Sequence, residues 1–203
     1  MENALLLTDY YKLQYESNIR MEIPMIIDKY QVDKLIYETA NSVVLSAHTQ
    51  KDKYAIKFIP IDNIENAQKE SLIMLEKRHP HIIRYIDSLN SPTFFAIVMA
   101  IAETDLTQYT KHYRCLSENQ AKKVMMDALE AVNFLHKDGI WHRDIKTDNI
   151  FVMKETANLP EIVIGDFGLA CSTEYEKNEG RPVGSLNYAA PELIKLDFSQ
   201  CYE

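Results

Sequence analysis

The chain has 203 residues, 46% of them apolar, with seven prolines spread along its length, enough to bury a core in one domain or two small lobes. Its net charge of −8 comes from 22 basic and 30 acidic residues with no basic tract, which argues against nucleic-acid binding through phosphate neutralisation and leaves a solvated acidic surface. Cys115, Cys171 and Cys201 are scattered, as reduced thiols of a cytoplasmic or nuclear protein would be. Leu5-Leu6-Leu7 is too short for a signal sequence, and no apolar run has membrane length, so no membrane partner is expected.

Residues 1–29 form a leader in which Ala4, Leu5, Leu6, Leu7, Tyr10, Tyr11, Leu13 and Tyr15 show spacings of three and four. A short helix fits, ending at Ile23-Pro24 because the residue before proline favours extended backbone. It is read as a loosely packed leader, with a docking or regulatory helix as the alternative. From Tyr30 the pattern turns to strands: Val32 to Tyr37 and Val43 to Ala47 as a hairpin closing at Ala40-Asn41-Ser42, then Lys53 to Ile59. A helix follows from about Ile64 to Lys77 and carries Glu70, which by itself reads as solvated surface. His79-Pro80-His81-Ile82-Ile83 marks the exit from that helix. The apolar run Phe94 to Met99 predicts a strand feeding the connector Ala100-Ile101-Ala102.

Glu103-Thr104-Asp105-Leu106 opens a second region expected to be helical. Ser117 and Gln120 match a capping box. The helix they start carries Ala121, Val124, Met125, Ala128, Leu129, Val132, Phe134 and Leu135 at helical spacing, a core face, and Gly139 closes it.

From Ile140 to Ala170 the sequence turns to chemistry. Asp144, Asn149 and Asp166 offer hard oxygen donors of the kind Mg²⁺ accepts alongside water and phosphates, and Lys146 adds a cation two residues past the first. Two metal donors plus a carboxylate left to handle a proton suit phosphoryl transfer, which rests on positioning and charge neutralisation. His142-Arg143-Asp144, Lys146 and Asn149 in register, Asp166-Phe167-Gly168 downstream and Ala190-Pro191-Glu192 beyond resemble the catalytic loop and metal-binding motifs of protein kinases.

That resemblance implies an α+β, bilobal kinase-like fold. Residues 30–102 would form a β-rich N-lobe with one main helix and the hinge, and residues 103–203 a mainly helical, incomplete C-lobe. It implies ATP and Mg²⁺ as cofactors and a protein as substrate. Lys57, in Ala55-Ile56-Lys57, would contact the α- and β-phosphates and pair with Glu70. Val44 and Ala55 above and Phe151 below would sandwich adenine, Met99 would back the pocket, and the backbone of Ile101 and Ala102 would bond its edge. Asp144 would orient the substrate hydroxyl and accept its proton, and Lys146 would neutralise the migrating phosphoryl group. Asn149 and Asp166 would hold two Mg²⁺ ions. His142 would pack and bond to hold the loop, and Ser185 would bridge Asp144 and Lys146. Arg143 suggests regulation by a phosphate on the loop from Asp166 to Glu192, where Ser172, Thr173 and Tyr175 are acceptors. Thr147 and Asp148 receive no chemistry. Lys146 and the segment Gly184 to Glu192 resemble serine/threonine kinases, with only a faint likeness to the calcium/calmodulin-dependent and related groups.

The sequence departs from the family twice. Tyr37, Thr39 and Ser42 stand where a phosphate-cradling loop has glycines, so fewer backbone N–H groups can approach a nucleotide and its affinity should fall. The sequence also stops at Glu203, just past Ala190-Pro191-Glu192, where the family continues into further helices. The Ala121–Leu135 stripe is then expected to lose part of its cover, or to be covered by a partner protein. Two functions follow: a serine/threonine kinase using Mg-ATP, or a non-catalytic kinase-like binding module or fragment.

Overall fold

The computed structural model describes residues 25–113, 115–156, 158–172 and 183–194. The expected leader helix, in residues 1–24, therefore lies outside the described residues, as do Thr173, Tyr175 and Cys201. The described residues fall into two compact units, one built from residues up to 75 and 84–101, the other from 76–83 and from 102 onward.

The first unit is an antiparallel six-stranded sheet in the order β1-β2-β3-β4-β6-β5. Its strands are β1 (Met25–Ile27), β2 (Tyr30–Glu38), β3 (Val43–His48), β4 (Lys53–Pro60), β5 (Tyr85–Asn90) and β6 (Phe94–Ala100). Cross-strand register puts Val43 opposite Phe58, Leu45 opposite Ile56 and Phe58 opposite Ala96. The period-2 alternation thus gathers Tyr30, Val32, Leu45, Ile56, Phe58, Phe94 and Val98 into one buried cluster. Phe58 meets Phe94 edge-on at 5.4 Å, and each fully buried aromatic or branched side chain there contributes about 1.5–3 kcal/mol. A 3-10 turn (Ile61–Asn63) leads into α1 (Ile64–Glu76), which buries Ala67, Glu70, Ser71, Ile73 and Met74.

Two strands of the first unit lay outside the sequence expectation. Met25–Ile27, assigned to the leader, pairs with β2 because its residues reach back from the turn at Asp28 (φ 53°). β5 carries Asp87, Ser88 and Asn90 among its apolar residues and is only half-buried, so it lacks the apolar run that marks a strand.

The second unit contains a three-stranded antiparallel sheet, β10-β9-β7, formed by β7 (Thr104–Asp105), β9 (Ile150–Thr156) and β10 (Leu159–Ile164), and a two-stranded ladder of β8 (Ile140–Trp141) with β11 (Cys171–Ser172). Its helices are α2 (Leu106–Tyr113), α3 (Glu118–Lys137) and the short α4 (Pro191–Ile194). The capping box forms as read: Ser117 Oγ accepts from Gln120 N, and Gln120 Oε1 accepts from Ser117 N at 2.8 Å. Gly139 closes α3 at φ 66°.

The core stripe of α3 needs correction. Val124, Ala128, Ala131 and Leu135 are buried, but Met125, Met126 and Leu129 are each about 60% exposed. Helical spacing identifies a stripe too broad for what packs on it here. Among the described residues, no helix is long and apolar enough to cross a membrane.

Candidate active site

In the first unit, antiparallel pairing of Val44 with Lys57, Lys57 with Ile97 and Ala55 with Met99 puts Val44, Ala55, Lys57 and Met99 on one sheet face, opposite the aromatic cluster. Lys57 is tied to α1: its Nζ donates to both oxygens of Glu70 at 2.8 and 2.9 Å. Glu70 is almost wholly buried and Lys57 nearly so, so this charge pair is desolvated, unlike a surface ion pair of little worth. The plain reading of Glu70 as solvated surface fails because it lies on the packed face of α1. Ile101 follows the end of β6 half-buried, and Ala102 opens the second unit.

The tip of the β2–β3 hairpin is organised by Thr39. Its Oγ1 accepts from the backbone N–H of Asn41 (3.2 Å) and of Ser42 (3.0 Å), and Thr39 N donates to Ser42 O at 2.8 Å. Donors that a glycine loop would turn toward a phosphate are satisfied within the turn. Tyr37, beside it, is 62% exposed.

In the second unit, β8 and β11 pair through Trp141–Cys171 and Ile140–Ser172, which fixes the segments that follow β8 and precede β11. The His142 ring is buried, and its Nε2–H donates to Gly165 O at 3.0 Å while Nδ1 faces the Asp144 N–H. Burial holds its pKa below the usual imidazole range, against the backbone hydrogen bond and nearby carboxylates that favour the charged form. Arg143 and Asp166 both adopt positive φ, 63° and 61°, conformations that non-glycine residues rarely hold and that cluster where a fold fixes functional groups. Arg143 Nε donates to Leu169 O at 2.7 Å. Of the acceptors expected to carry its phosphate, Ser172 lies in β11 opposite Ile140, and Thr173 and Tyr175 lie outside the described residues.

Asp144 is the hub. Its Oδ1 accepts from Ser185 N (2.9 Å) and Ser185 Oγ (2.8 Å), and its Oδ2 from Asn149 Nδ2 (2.9 Å) and Lys146 Nζ (2.8 Å). Lys146 also donates to Ser185 Oγ at 2.9 Å, closing a three-residue circuit. Burial alone would raise the Asp144 pKa. The hydrogen bonds from Lys146 and Ser185, the Lys146 charge and the Asn149 amide outweigh it and hold the carboxyl below its usual range. Lys146 is moved the other way: burial opposes its charge, but the bond and charge of Asp144 raise its pKa. The pair stays ionised.

Asn149 is buried, and its Nδ2 also donates to Asp144 O at 2.8 Å. Among the described residues its amide oxygen has no hydrogen-bond donor, so a hard cation fits as its partner. Asp166 supplies a partly buried carboxylate one residue past Gly165. Phe151, on β9 opposite Val163, lies against Gly165: a Cβ there would meet its ring at 2.7 Å. The structure thus joins Lys57 with Glu70 in one unit, and Asp144, Lys146 and Asn149 in the other.

Sequence reasoning missed two contributors. Gly184 (φ 105°) brings the backbone so close to the loop of Arg143 and Asp144 that a Cβ would meet Arg143 O at 2.5 Å. Thr147, given no role, accepts from Thr107 Oγ1 of α2 at 2.7 Å and shares a hydrogen bond with Tyr188 OH at 3.0 Å. Glycine spacing in the motif could have flagged the first. Three hydroxyls 40 residues apart carry no local signal.

The model of the protein kinase domain matches residues 30–202. Over 189 residues the chain is 29% identical to the phosphorylase b kinase gamma catalytic chain, liver/testis isoform, of Rattus norvegicus, which covers 86% of this chain and 46% of that protein. It is 34% identical over 179 residues to a probable myosin light chain kinase of Dictyostelium discoideum, covering 83% and 36% of the two chains. It is 30% identical over 209 residues to calcium-dependent protein kinase 5 of Plasmodium falciparum, covering 96% and 36%. The chain spans less than half the length of these curated relatives. With a family match across most of its residues, and with a lysine–glutamate pair and a donor-saturated aspartate placed as described, the chain belongs to the protein kinase family.

Proposed function

We propose that the chain transfers the γ-phosphoryl group of Mg-ATP to a serine or threonine hydroxyl of a protein substrate. The observation that carries this reading is the circuit of Asp144, Lys146, Ser185 and Asn149. Its donors keep Asp144 ionised, so the carboxylate orients a substrate hydroxyl and accepts its proton only as the new P–O bond forms. Lys146, held cationic, neutralises charge on the transferred group. Lys57, fixed by Glu70, binds the α- and β-phosphates, while Val44, Ala55, Met99, Phe151 and the backbone of Ile101 and Ala102 take the base. The amide oxygen of Asn149 and the carboxylate of Asp166 would hold Mg²⁺, which would offset the charge of the phosphates when bound. The scattered cysteines support a cytoplasmic or nuclear location.

One observation favours a non-catalytic binding module instead. The Thr39 hydroxyl takes up hairpin-tip N–H groups that a phosphate needs, and each lost bond costs about 0.5–1.5 kcal/mol of nucleotide affinity. The exposed Met125, Met126 and Leu129 add a face that a partner protein would cover. Transfer of radiolabelled phosphate from Mg-ATP to a generic basic protein separates the two, with Asp166→Ala as the control. Transfer abolished by that substitution is expected. Equal background signal from both chains overturns the catalytic reading.

A further inference from the structure

We propose that His81, Asp127 and Glu130 form a binding site for a divalent transition-metal ion of the zinc type. All three lie in the second unit, and the proposal is independent of the phosphotransfer reading. One ligand atom from each falls within 4.8 Å of the others. Asp127 and Glu130 stand three residues apart on α3 and so share a face. His81 comes from the segment that precedes β5.

The imidazole is aimed before any ion arrives. His81 Nδ1 lies 3.0 Å from Ile162 O, and a carbonyl only accepts, so Nδ1 carries the proton. The backbone holds the residue in place, since His81 O accepts from Ile164 N at 2.8 Å and His81 N donates to His79 Nδ1 at 3.1 Å. Nε2 therefore points at Asp127 Oδ1, 3.4 Å away, and Glu130 Oε2, 3.8 Å away. Imidazolium–carboxylate hydrogen bonds close to about 2.7–2.9 Å, so these gaps are too long for that pairing. They match a shared ion instead. Ligands about 2.1 Å from a tetrahedral centre are roughly 3.4 Å apart. A backbone carbonyl fixing the distal ring nitrogen is the support that metal-bound histidines commonly have.

Charge also fits. Asp127 is buried at 5% side-chain exposure and is now neutralised by Lys123, four residues earlier, whose ammonium contacts both its oxygens at 2.5 Å. The Lys123 side chain is 40% exposed and can swing into water. A dication between two carboxylates and a neutral imidazole would replace it with a cluster of zero net charge. One imidazole nitrogen and two carboxylate oxygens suit zinc better than Mg²⁺, which prefers oxygen and water. The ion would clamp His81 to α3 beside β10, the strand that runs into Gly165 and Asp166.

Zinc titration of the full chain in competition with a chromogenic chelator tests this, with Co²⁺ absorption reporting coordination. One equivalent is expected to bind, and Asp166→Ala to leave it in place. Glu130→Gln should weaken it tenfold or more; that side chain is 62% exposed, so the substitution spares the fold. His81→Gln should abolish it. Lys123→Met should tighten it by freeing Asp127, an effect opposite in sign to losing a structural ion pair. No zinc bound by the wild-type chain, or binding that Glu130→Gln and His81→Gln leave unchanged, overturns the site. So does a Lys123→Met chain that binds no more tightly.

Discussion

Gly184→Ala tests whether the segment before Ser185 must lie against the 143–144 backbone for Asp144 to be held. A Cβ at Gly184 would meet Arg143 O at 2.5 Å, about 0.9 Å inside ordinary 3.4 Å contact, and φ is 105°, where an alanine is strained. The obstacle is backbone in a loop bonded on both sides, so the 184–185 segment must retreat. A retreat of that size stretches the 2.9 Å bond from Ser185 N and the 2.8 Å bond from Ser185 Oγ beyond hydrogen-bonding range. Bonds to a charged group are worth about 1.5–3 kcal/mol each and the backbone strain about 1–3 kcal/mol; part returns as water solvates the freed groups. Local opening at Ser185 should therefore become easier by at least about 2 kcal/mol, roughly a 30-fold faster amide exchange. With two of its donors removed, the Asp144 pKa should move back up toward the usual carboxylate range. Hydrogen exchange of the Ser185 amide and a carboxyl NMR titration of Asp144 read both effects. A Ser185 amide protected equally in both chains would refute the argument, because the bond to Asp144 would then have survived the added methyl.

Glu70→Gln leaves the Lys57 ammonium, 12% exposed, beside a neutral amide. Breaking a buried pair from one side costs about 3–5 kcal/mol, and the lower end applies because Lys57 reaches some water. Urea denaturation should show a loss near 3 kcal/mol, and a loss below about 0.5 kcal/mol would place the pair among surface ion pairs. Asp87→Asn probes acid sensitivity. Asp87 accepts from Lys29, Tyr30 OH and the Ser88 amide, and the Lys29 bond is the main cause of its depressed pKa, with burial opposing. The folded state thus binds fewer protons than the unfolded chain as pH falls past the ordinary 3.8, so this stabilisation is complete above that value and fades below it. Stability of Asp87→Asn should fall less steeply between pH 5 and 3 than wild type, roughly the window of a carboxylate; parallel slopes would exclude Asp87 as a source.

What the sequence revealed and what it hid follow from how local each signal is. The β2–β3 hairpin, β4, β6 and α3 announced themselves because alternation, apolar runs and a capping box act over a few residues. β5 stayed hidden because its burial comes from β6, whose paired residues lie five to fourteen positions along, and its polar residues mask its period. The β9–β10 hairpin went unread for a similar reason, with its register shift at Glu161–Ile162 breaking the alternation. Among functional groups, Asp144, Lys146 and Asn149 were legible because the chemistry needs those types within six residues of one another. Glu70 was legible only by its distance from Lys57, since nothing local separates a buried glutamate from a solvated one.

The least legible features are those in which one residue limits another across the chain. Gly184 matters because of the carbonyl of Arg143, and Gly165 because of the rings and methyls of Phe151 and Ile83. Thr147 matters because α2 and the 186–188 turn both bring hydroxyls to it. Thr39 is the instructive case: the sequence shows a missing glycine, which predicts an obstacle to phosphate. The structure adds an obstacle of a different kind, because the threonine hydroxyl already accepts from the backbone N–H groups of Asn41 and Ser42. Replacing Thr39 with glycine would remove both obstacles, whereas valine, equally bulky but without the hydroxyl, would remove only the second. Nucleotide affinity that rises in Thr39→Val as well as in Thr39→Gly would assign the weakness to competing hydrogen bonds; a rise in the glycine variant alone would assign it to bulk.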